Sequence, residues 1–372
     1  MKAALFIPNL ERGGAERQVS LLAREIKNCG IEVDVIVFHD GGPFEAALRK
    51  EQVNIVCIDK KRCSNPFSIL WELRQYLRRK RPDILYSFMP LANVFSLCAR
   101  LIFNRPRVIW GIRASNMPLN EYGYRTRLFY LLEEYLHPLA DMVIANSEAG
   151  RSVCLAKGFP AEKLHVVSNG FDVDVFKPDP DQRQNWRKNW GIKDHELVFG
   201  LPSRLDPVKD HATYLGAAAL HLTKGFDARF VVIGGGSQAY ERALKSKAEK
   251  LGLSEHVIWT GQLDNIQKVL NGLDVVCLTS VSEGFPNALG EAMATGLTVI
   301  SSDVGDARTL ISDAGKTFEA GNVDQLAAIM EDMHDATERR KYGSRARLRI
   351  IENYSSAASA RETIEMFRKV QQ

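Results

Sequence analysis

Two glutamates in the segment 280–296 are spaced so that they can hold different parts of one polar ligand. Glu283 lies in a loop, and Glu291 lies on the second turn of a helix that we expect at 287–295. One carboxylate can therefore hold a sugar hydroxyl and the other a ribose, while the amides at the helix start face the ligand. The intervening residues complete a candidate ligand-binding segment: Phe285, Pro286, Asn287, Ala288 and Leu289. Two glutamates in isolation are more often solvated surface groups, so this interpretation depends on the neighbouring motifs.

Arg204 and Lys209 are candidate cations for a phosphate leaving group. Both follow a predicted strand at 197–201, within the run Ser-Arg-Leu-Asp-Pro-Val-Lys-Asp. A diphosphate gains negative charge as its bond to a sugar breaks, and Arg204 as a fork of donors and Lys209 as a point charge stabilise that charge. We therefore expect catalysis by Glu283, Arg204 and Lys209 without a metal ion or another cofactor.

Glycines follow two further predicted strands. Gly13 and Gly14 come after the first strand of the chain, and Gly234 and Gly235 lie at the end of a strand in the second half. A glycine before a helix lets backbone N–H groups approach a phosphate or a sugar closely. The first run does not have the G-x-G-x-x-G spacing, which removes the main support for an NAD-dependent dehydrogenase. A plain tight turn remains the alternative at both places.

The segment 66–81 predicts a helix with an apolar stripe and a cationic rim. Its basic residues include Arg74, Arg78 and Arg79. One interpretation is an ordinary domain helix whose charges are solvated. The other is a contact with an anionic membrane, where each basic side chain contributes about 1 kcal/mol, or with the diphosphate of an acceptor.

Short apolar runs alternate with helical patterns along the chain, which favours parallel sheets covered by helices. The first series of predicted strands comprises 3–7, 33–38, 55–58, 84–88, 108–111 and 142–145. After a polar stretch, the second series comprises 197–201, 229–234, 257–260, 274–279 and 298–301. We therefore expect two α/β domains with doubly wound parallel sheets. Ligands of such sheets bind beyond the carboxyl ends of the strands, where the motifs above lie.

Composition narrows the class of protein. The net charge of the 372 residues is +4, and residues 1–180 carry 25 Lys/Arg against 20 Asp/Glu. This mild excess does not indicate a nucleic-acid partner, although it would help an approach to an anionic membrane. The six cysteines have no metal-binding spacing, and no apolar run reaches the length of a membrane span, so we expect a cytoplasmic protein.

Together these motifs resemble glycosyltransferase family 4. The run E-G-F-P-N-A-L-G-E is similar to the E-x7-E motif of that family, S-R-L-D-P-V-K-D to its phosphate-binding Arg and Lys, and the glycine-rich start and S-N-G-F-D match as well. The resemblance implies a GT-B fold of two Rossmann-like domains facing a cleft, no metal, and retention of anomeric configuration. It also implies that Arg204 and Lys209 bind the diphosphate, Glu283 the donor sugar and Glu291 the ribose.

The resemblance also implies a division of the chain. Residues 1–180 would form the acceptor-side domain, and residues 181–353 the nucleotide-sugar domain. The last helix, about 354–372, would return to complete the first domain.

One loop departs from that family. Many relatives carry a histidine after the strand that corresponds to 108–111, whereas this sequence has Arg113 and Asn116 in that loop. We take Arg113 and Asn116 as candidates to replace the histidine or to contact the acceptor.

The resemblance extends to bacterial enzymes that extend lipid-linked glycans in polysaccharide or glycoconjugate synthesis. It implies transfer of a hexose or N-acetylhexosamine from a UDP-sugar to a glycan or lipid-diphosphate-linked acceptor, by a protein bound peripherally to the inner face of the cytoplasmic membrane. A nucleotide-sugar epimerase and a catalytically inactive accessory subunit of the same fold are the alternatives. An epimerase needs acid/base groups near the sugar, of which these loops offer few. An inactive subunit has no need of all four charged residues.

Overall fold

The computed structural model describes residues 1–59, 65–100, 106–113 and 123–372, which form two compact units. Unit 1 comprises Met1–Gly170 and Ser356–Gln372, and unit 2 comprises Phe171–Ser355. The residues just after Gly170, which we had assigned to the first domain, thus belong to unit 2. The reason is local, because the Phe171 amide donates to the Tyr354 carbonyl at 2.8 Å and the Phe171 ring lies in the core of unit 2.

Unit 1 contains a seven-stranded parallel sheet in the order β3-β2-β1-β4-β5-β6-β7. The strands are β1 (Lys2–Ile7), β2 (Glu32–Val37), β3 (Asn54–Cys57), β4 (Ile84–Phe88), β5 (Arg107–Ile112), β6 (Met142–Ala145) and β7 (Leu164–Val166). From β1, the strands β2 and β3 are added on one side of the sheet, and from β4, the strands β5, β6 and β7 are added on the other side. The loops after these two strands therefore diverge and open a crevice at the carboxyl edge of the sheet.

Unit 2 contains a six-stranded parallel sheet in the order β10-β9-β8-β11-β12-β13. The strands are β8 (Val198–Pro202), β9 (Arg229–Ile233), β10 (Val257–Trp259), β11 (Val275–Leu278), β12 (Thr298–Ser302) and β13 (Lys316–Phe318). The corresponding switch in direction falls between β8 and β11, which pair directly.

Helices connect successive strands and cover the sheets. In unit 1 they are α1 (Gly14–Asn28), α2 (Pro43–Lys50), α3 (Pro66–Lys80), α4 (Pro90–Arg100), α5 (Tyr124–Leu136) and α6 (Glu148–Ala156). In unit 2 they are α7 (Pro180–Asn189), α8 (His211–Thr223), α9 (Gln238–Lys250), α10 (Ile266–Val269), α11 (Asn287–Ala294), α12 (Ala307–Ile311), α13 (Val323–Asp332) and α14 (Ala336–Asn353). The last helix, α15 (Ser356–Gln371), belongs to unit 1, where Ile364 and Phe367 pack into the same core as α1.

A buried arginine aligns the starts of β8 and β11. Arg187 on α7 is almost completely buried, and its guanidinium lies 2.6 Å from the Asp274 carboxylate. The same Asp274 oxygen accepts a 2.8 Å hydrogen bond from the Val198 amide at the start of β8. Because both strands are fixed at their beginnings, their carboxyl ends deliver the following loops to a defined place.

The expected architecture of two doubly wound parallel sheets is confirmed, and each predicted strand is present. The edge strands β7 and β13, of three residues each, were not predicted. In the described part of the chain, no helix combines the length and hydropathy needed to cross a bilayer.

Candidate functional site

The loops after β8 and β11 meet because these strands are neighbours in the sheet of unit 2. The Nζ atom of Lys209, in the first loop, lies 2.5 Å from Oε1 of Glu283, in the second. The Lys209 side chain is 19% exposed and that of Glu283 is 12% exposed. Two residues predicted for catalysis thus form a partly buried ion pair.

Hydroxyl groups hold both members of this ion pair. The Ser280 hydroxyl donates to Oε1 of Glu283 at 2.7 Å. The Thr279 hydroxyl lies 2.9 Å from the carbonyl oxygens of both Lys209 and Asp210, so it fixes the backbone that carries the lysine. The lysine ammonium is therefore pre-positioned near the carboxyl edge of the sheet.

Arg204 lies on the same loop as Lys209 in a different environment. Its side chain is 78% exposed, and its guanidinium is 3.7 Å from the Asp206 carboxylate. Asp206 in turn accepts a 3.0 Å hydrogen bond from the Val208 amide and caps the 3-10 turn that carries Lys209. Of the two predicted cations, one is thus paired with Glu283 and the other faces solvent.

The glycines after β9 allow two loops to pack backbone against backbone. Gly234 has a φ of +148°, and a Cβ atom there would lie 2.0 Å from the Ser203 carbonyl oxygen. A Cβ atom on Gly236 would lie 2.2 Å from the carbonyl oxygen of Leu205. Gly235, by contrast, has room for a side chain, since its nearest neighbour would be Gln262 at 3.4 Å. The structure itself therefore explains Gly234 and Gly236 by close loop packing.

The segment after Glu283 anchors its loop to the core. Phe285 and Leu289 are buried, and the Phe285 ring stacks on Phe171 with 6.1 Å between centroids. Pro286 precedes α11, which starts at Asn287 and includes Ala288. Glu291 on the next turn is also buried. The side chains of Phe285 and Leu289 thus lie beneath the loop, while Glu283 lies within it.

The loop after β12 supports the backbone of Glu283, and sequence reasoning missed it. Gly305 has a φ of +54°, and a Cβ atom there would lie 2.3 Å from the carbonyl oxygen of Glu283. The Ser302 hydroxyl donates to the Ser280 carbonyl at 2.6 Å. Their position could have indicated this role, since Ser302 directly follows the predicted strand at 298–301 and Gly305 lies three residues further on.

A buried histidine lies behind the loop after β8. The Nε2 atom of His211, at the start of α8, lies 3.1 Å from the Ser203 hydroxyl. Burial lowers the pKa of His211 to about 4. A neutral imidazole thus buttresses the loop that carries Arg204.

In unit 1, Gly13 and Gly14 lie at the start of α1, as expected for residues before a helix. The Glu16 side chain folds back over this helix start. Its Oε2 atom lies so close to Gly13 that a Cβ atom there would be only 2.0 Å away. Burial raises the pKa of the Glu16 carboxyl. A carboxyl group therefore lies at the helix start that the sequence predicted to face a phosphate.

Arg113 directly follows β5. It donates from Nη1 to the Asn169 side-chain oxygen at 2.7 Å and from Nη2 to the Tyr86 hydroxyl at 3.2 Å. Its guanidinium also lies 5.1 Å from the centre of the Phe88 ring. Asn116, the other candidate of this loop, lies outside the described residues.

Helices α3 and α5 of unit 1 expose apolar stripes. On α3, Ile69 and Leu73 pack into the core, whereas Phe67 and Trp71 are 81% and 56% exposed. Arg78 and Arg79 are exposed on the last turns, and Arg74 is partly buried. The outward stripe of α5 is 48% to 79% exposed and consists of Tyr124, Leu128, Leu131 and Tyr135.

Family models match both halves of the chain. Residues 12–175 match Glycosyltransferase Family 4, and residues 182–349 match Glycosyl transferases group 1. The two matches follow the division into units and include the motifs of each.

Two bacterial glycosyltransferases are similar to this chain in sequence. The chain is 27% identical over 364 residues to the N-acetylgalactosamine-N,N'-diacetylbacillosaminyl-diphospho-undecaprenol 4-alpha-N-acetylgalactosaminyltransferase of Campylobacter jejuni, covering 94% of each chain. It is 22% identical to the UDP-Gal:alpha-D-GlcNAc-diphosphoundecaprenol alpha-1,3-galactosyltransferase of Escherichia coli, covering 69% of this chain and 67% of that one.

Solved structures share the fold. HepE of Anabaena in complex with UDP superposes with a TM-score of 0.84 at 23% identity, covering 99% of this chain and 100% of that one. A glycosyltransferase from Rickettsia africae superposes with a TM-score of 0.85 at 19% identity, covering 100% of this chain and 99% of that one. The predicted GT-B fold is thereby confirmed.

Proposed function

We propose a donor, an acceptor and a mechanism for this chain, which belongs to the glycosyltransferases through a Glycosyltransferase Family 4 domain at residues 12–175 and a Glycosyl transferases group 1 domain at residues 182–349. It transfers a hexose or N-acetylhexosamine from a UDP-sugar to a glycan carried on a lipid diphosphate, with retention of anomeric configuration. The enzyme works as a peripheral protein at the cytoplasmic face of the membrane.

The observation that carries this proposal is the Lys209–Glu283 ion pair between two neighbouring strand-end loops. Departure of a nucleoside diphosphate requires a cation at the leaving phosphate and a group that accepts hydrogen bonds from the hydroxyls of the donor sugar. Lys209 supplies the first and Glu283 the second. Arg204, which faces solvent in the same loop, adds a second cation to the diphosphate.

The two cations serve in place of a metal ion. Lys209 and Arg204 neutralise the charge that develops on the leaving diphosphate, so transfer should continue in excess EDTA. The measurement is release of nucleoside diphosphate with and without chelator. Loss of activity that manganese restores would contradict metal independence.

The names of the relatives support the proposed donor and acceptor. The Escherichia coli relative is named for UDP-Gal and a diphosphoundecaprenol-linked acceptor, and the Campylobacter jejuni relative for a diphospho-undecaprenol-linked one. HepE was solved with UDP and with UDP-glucose. These names support a UDP-sugar and a lipid-diphosphate acceptor for this chain.

The test is mass spectrometry of products from UDP- and GDP-sugars, each incubated with lipid-diphosphate-linked glycans. The proposal expects a mass increase of one hexose or N-acetylhexosamine from a UDP-sugar, with nuclear magnetic resonance showing the anomeric configuration of the donor. Transfer from GDP-sugars alone would refute the proposed donor. A product with inverted configuration would refute the proposed retention. Conversion of the donor without transfer would indicate an epimerase.

Two helices of unit 1 support contact with an anionic membrane. The exposed side chains of α3 include Phe67, Trp71 and Arg78. The segment 66–81 carries five basic residues against one acidic residue. Aromatic side chains and arginines of this kind suit the boundary between headgroups and acyl chains.

The outward stripe of α5 adds apolar area to this surface. Tyr124, Leu128, Leu131 and Tyr135 recur at helical spacing and are exposed, although the inward face of the helix already packs through Phe129. A helix that is apolar on two faces has a second surface to bury. A lipid boundary accepts it without a specific partner.

Replacement of Arg74, Arg78 and Arg79 by Gln should weaken flotation with anionic liposomes and raise the KM for a lipid-linked acceptor. Three charges at about 1 kcal/mol each correspond to roughly a 100-fold loss of membrane affinity. Affinity for UDP should be unchanged. The matched control replaces Arg340, Lys341 and Arg345, which are exposed on α14, and should retain flotation.

Equal flotation of both triple variants would show that α3 is an ordinary domain helix whose charges are solvated. Leu128→Ser with Leu131→Ser should also reduce flotation, at any salt concentration, because it removes apolar area rather than charge. Wild-type flotation of this double variant would exclude α5 from the contact.

A further inference from the structure

No described residue of unit 1 neutralises the positive charge of Arg113. Its contacts among the described residues are the amide oxygen of Asn169, the hydroxyl of Tyr86 and the ring of Phe88. All three partners are uncharged, and no carboxylate of the described chain lies within ion-pair distance of it. Because Arg113 is partly buried, its charge is poorly solvated and favours an anionic partner.

The guanidinium is held rigidly and retains unused donors. Tyr86 and Phe88 belong to β4 and are completely buried, so two sides of the arginine rest on the sheet. The Nε–H group is buried without a hydrogen-bond partner. The described residues use two of the five guanidinium N–H donors, and the other donors on Nη1 and Nη2 have no partner among those residues and can serve a ligand.

The partners of Arg113 are tied to the start of α1. Asn169 is buried after β7, and the next residue, Gly170, exchanges two hydrogen bonds with Gln18 on α1, at 2.9 and 3.0 Å. The carboxyl ends of β4 and β5 and the first turns of α1 thus meet at one edge of the sheet, where ligands of parallel sheets bind. A fixed guanidinium whose described partners are all uncharged is suited in this place to phosphate oxygens.

We propose that Arg113 binds a phosphate group of the lipid-diphosphate acceptor and positions the acceptor for transfer. This inference rests on the proposed function for the identity of the ligand, because the donor cations Arg204 and Lys209 belong to unit 2. The anion site itself is a property of unit 1, and inorganic pyrophosphate is the probe for it.

Asn169→Asp is the decisive substitution. It places a carboxylate where the amide oxygen now lies 2.7 Å from Nη1, so it keeps the arginine in position and neutralises it. A structural role of Arg113 would be preserved by this change. A role in anion binding would be lost, and Arg113→Gln should have the same effect on the ligand.

Binding is measured by calorimetry with inorganic pyrophosphate in the Arg204→Ala, Lys209→Met background, which removes the cations of unit 2. Pyrophosphate should still bind, and addition of Asn169→Asp should weaken it by about tenfold or more. Absence of binding in the background, or equal affinity after Asn169→Asp, overturns the site. This outcome does not depend on transfer, so it separates failure of the site from failure of the proposed function.

Kinetics identify which substrate carries the anion. With a diphosphate-linked glycan, Asn169→Asp should raise the KM for the acceptor about 30-fold and leave the KM for the donor unchanged. With the methyl glycoside of the same glycan, variant and wild type should have equal KM values. A rise in the donor KM instead, or an equal rise with the methyl glycoside, overturns the assignment to the acceptor diphosphate.

Discussion

Under the proposed function, we expect Lys209 to exchange Glu283 for a phosphate when a nucleoside diphosphate binds. Its ammonium lies 2.5 Å from Glu283, and the pair is 19% and 12% exposed. A charge-assisted hydrogen bond of this kind contributes about 1.5 to 3 kcal/mol. Lys209→Met should therefore weaken UDP binding by about 2 kcal/mol, or roughly 30-fold, because the phosphate loses its cation and meets an unpaired carboxylate.

Glu283→Gln separates the effect of losing the lysine cation from the effect of leaving the Glu283 carboxylate unpaired. It removes the competitor of the diphosphate, so UDP should bind at least as tightly as to the wild type, while turnover falls because the sugar loses its carboxylate. In the double variant, about 1 kcal/mol of the loss caused by Lys209→Met should be recovered, because the repulsion between Glu283 and the phosphate is gone. This coupling is measured by calorimetry with UDP across the four proteins.

The control is Lys245→Met on α9, which breaks a more exposed pair with Glu241 in the same unit. It should leave UDP affinity unchanged. Lys209→Met should also lower the free energy of unfolding by about 1 to 2 kcal/mol, less than the 3 to 5 of a fully buried pair, since both side chains retain some solvent. Unchanged UDP affinity of Lys209→Met, or strict additivity in the double variant, would refute the exchange of partners.

Three further changes test the site and its scaffold. Arg204→Ala should weaken UDP binding by only about 1 kcal/mol, because the side chain is 78% exposed. Calorimetry measures this change, and a loss of affinity as large as that of Lys209→Met would contradict the prediction. Gly234→Ala should lower the free energy of unfolding by roughly 2 kcal/mol, because φ at this position is +148° and the new Cβ atom would lie 2.0 Å from the Ser203 carbonyl oxygen. Urea denaturation measures this loss. Wild-type stability of the variant would show that the two loops move apart freely. Stability should also fall as the pH drops from about 6.5 towards 4, because burial lowers the pKa of His221 to about 4 and the unfolded chain therefore takes up the proton first. His221→Leu should reduce this pH dependence in denaturations at about pH 7 and about pH 5, and the remainder should come from His211, whose pKa burial also lowers to about 4. An unchanged slope would exclude His221 as a source.

The candidate site was predictable to the extent that it depends on strand ends. Glu283 and Lys209 each follow an apolar run that is long enough to be recognised as a strand, and parallel strands bring their carboxyl ends to one edge. The burial of Phe285 and Leu289 was not predicted, because the motif places them beside Glu283 without revealing which side chains turn inward.

The sequence by itself determined the periodic features of this protein: two series of β-branched runs, the helices between them, and glycines and charged residues at the strand ends. Only the tertiary structure decided which loops meet, because strand order depends on how the whole sheet packs. It placed β8 beside β11 and so joined Lys209 to Glu283 across 74 positions of the chain. It likewise joined Arg113 to Asn169, which are 56 positions apart, and gave the arginine an uncharged partner. Local periodicity carries no information about such contacts, since they are fixed by the crossing of helices over the sheet and by the burial of side chains such as Tyr86 beneath them.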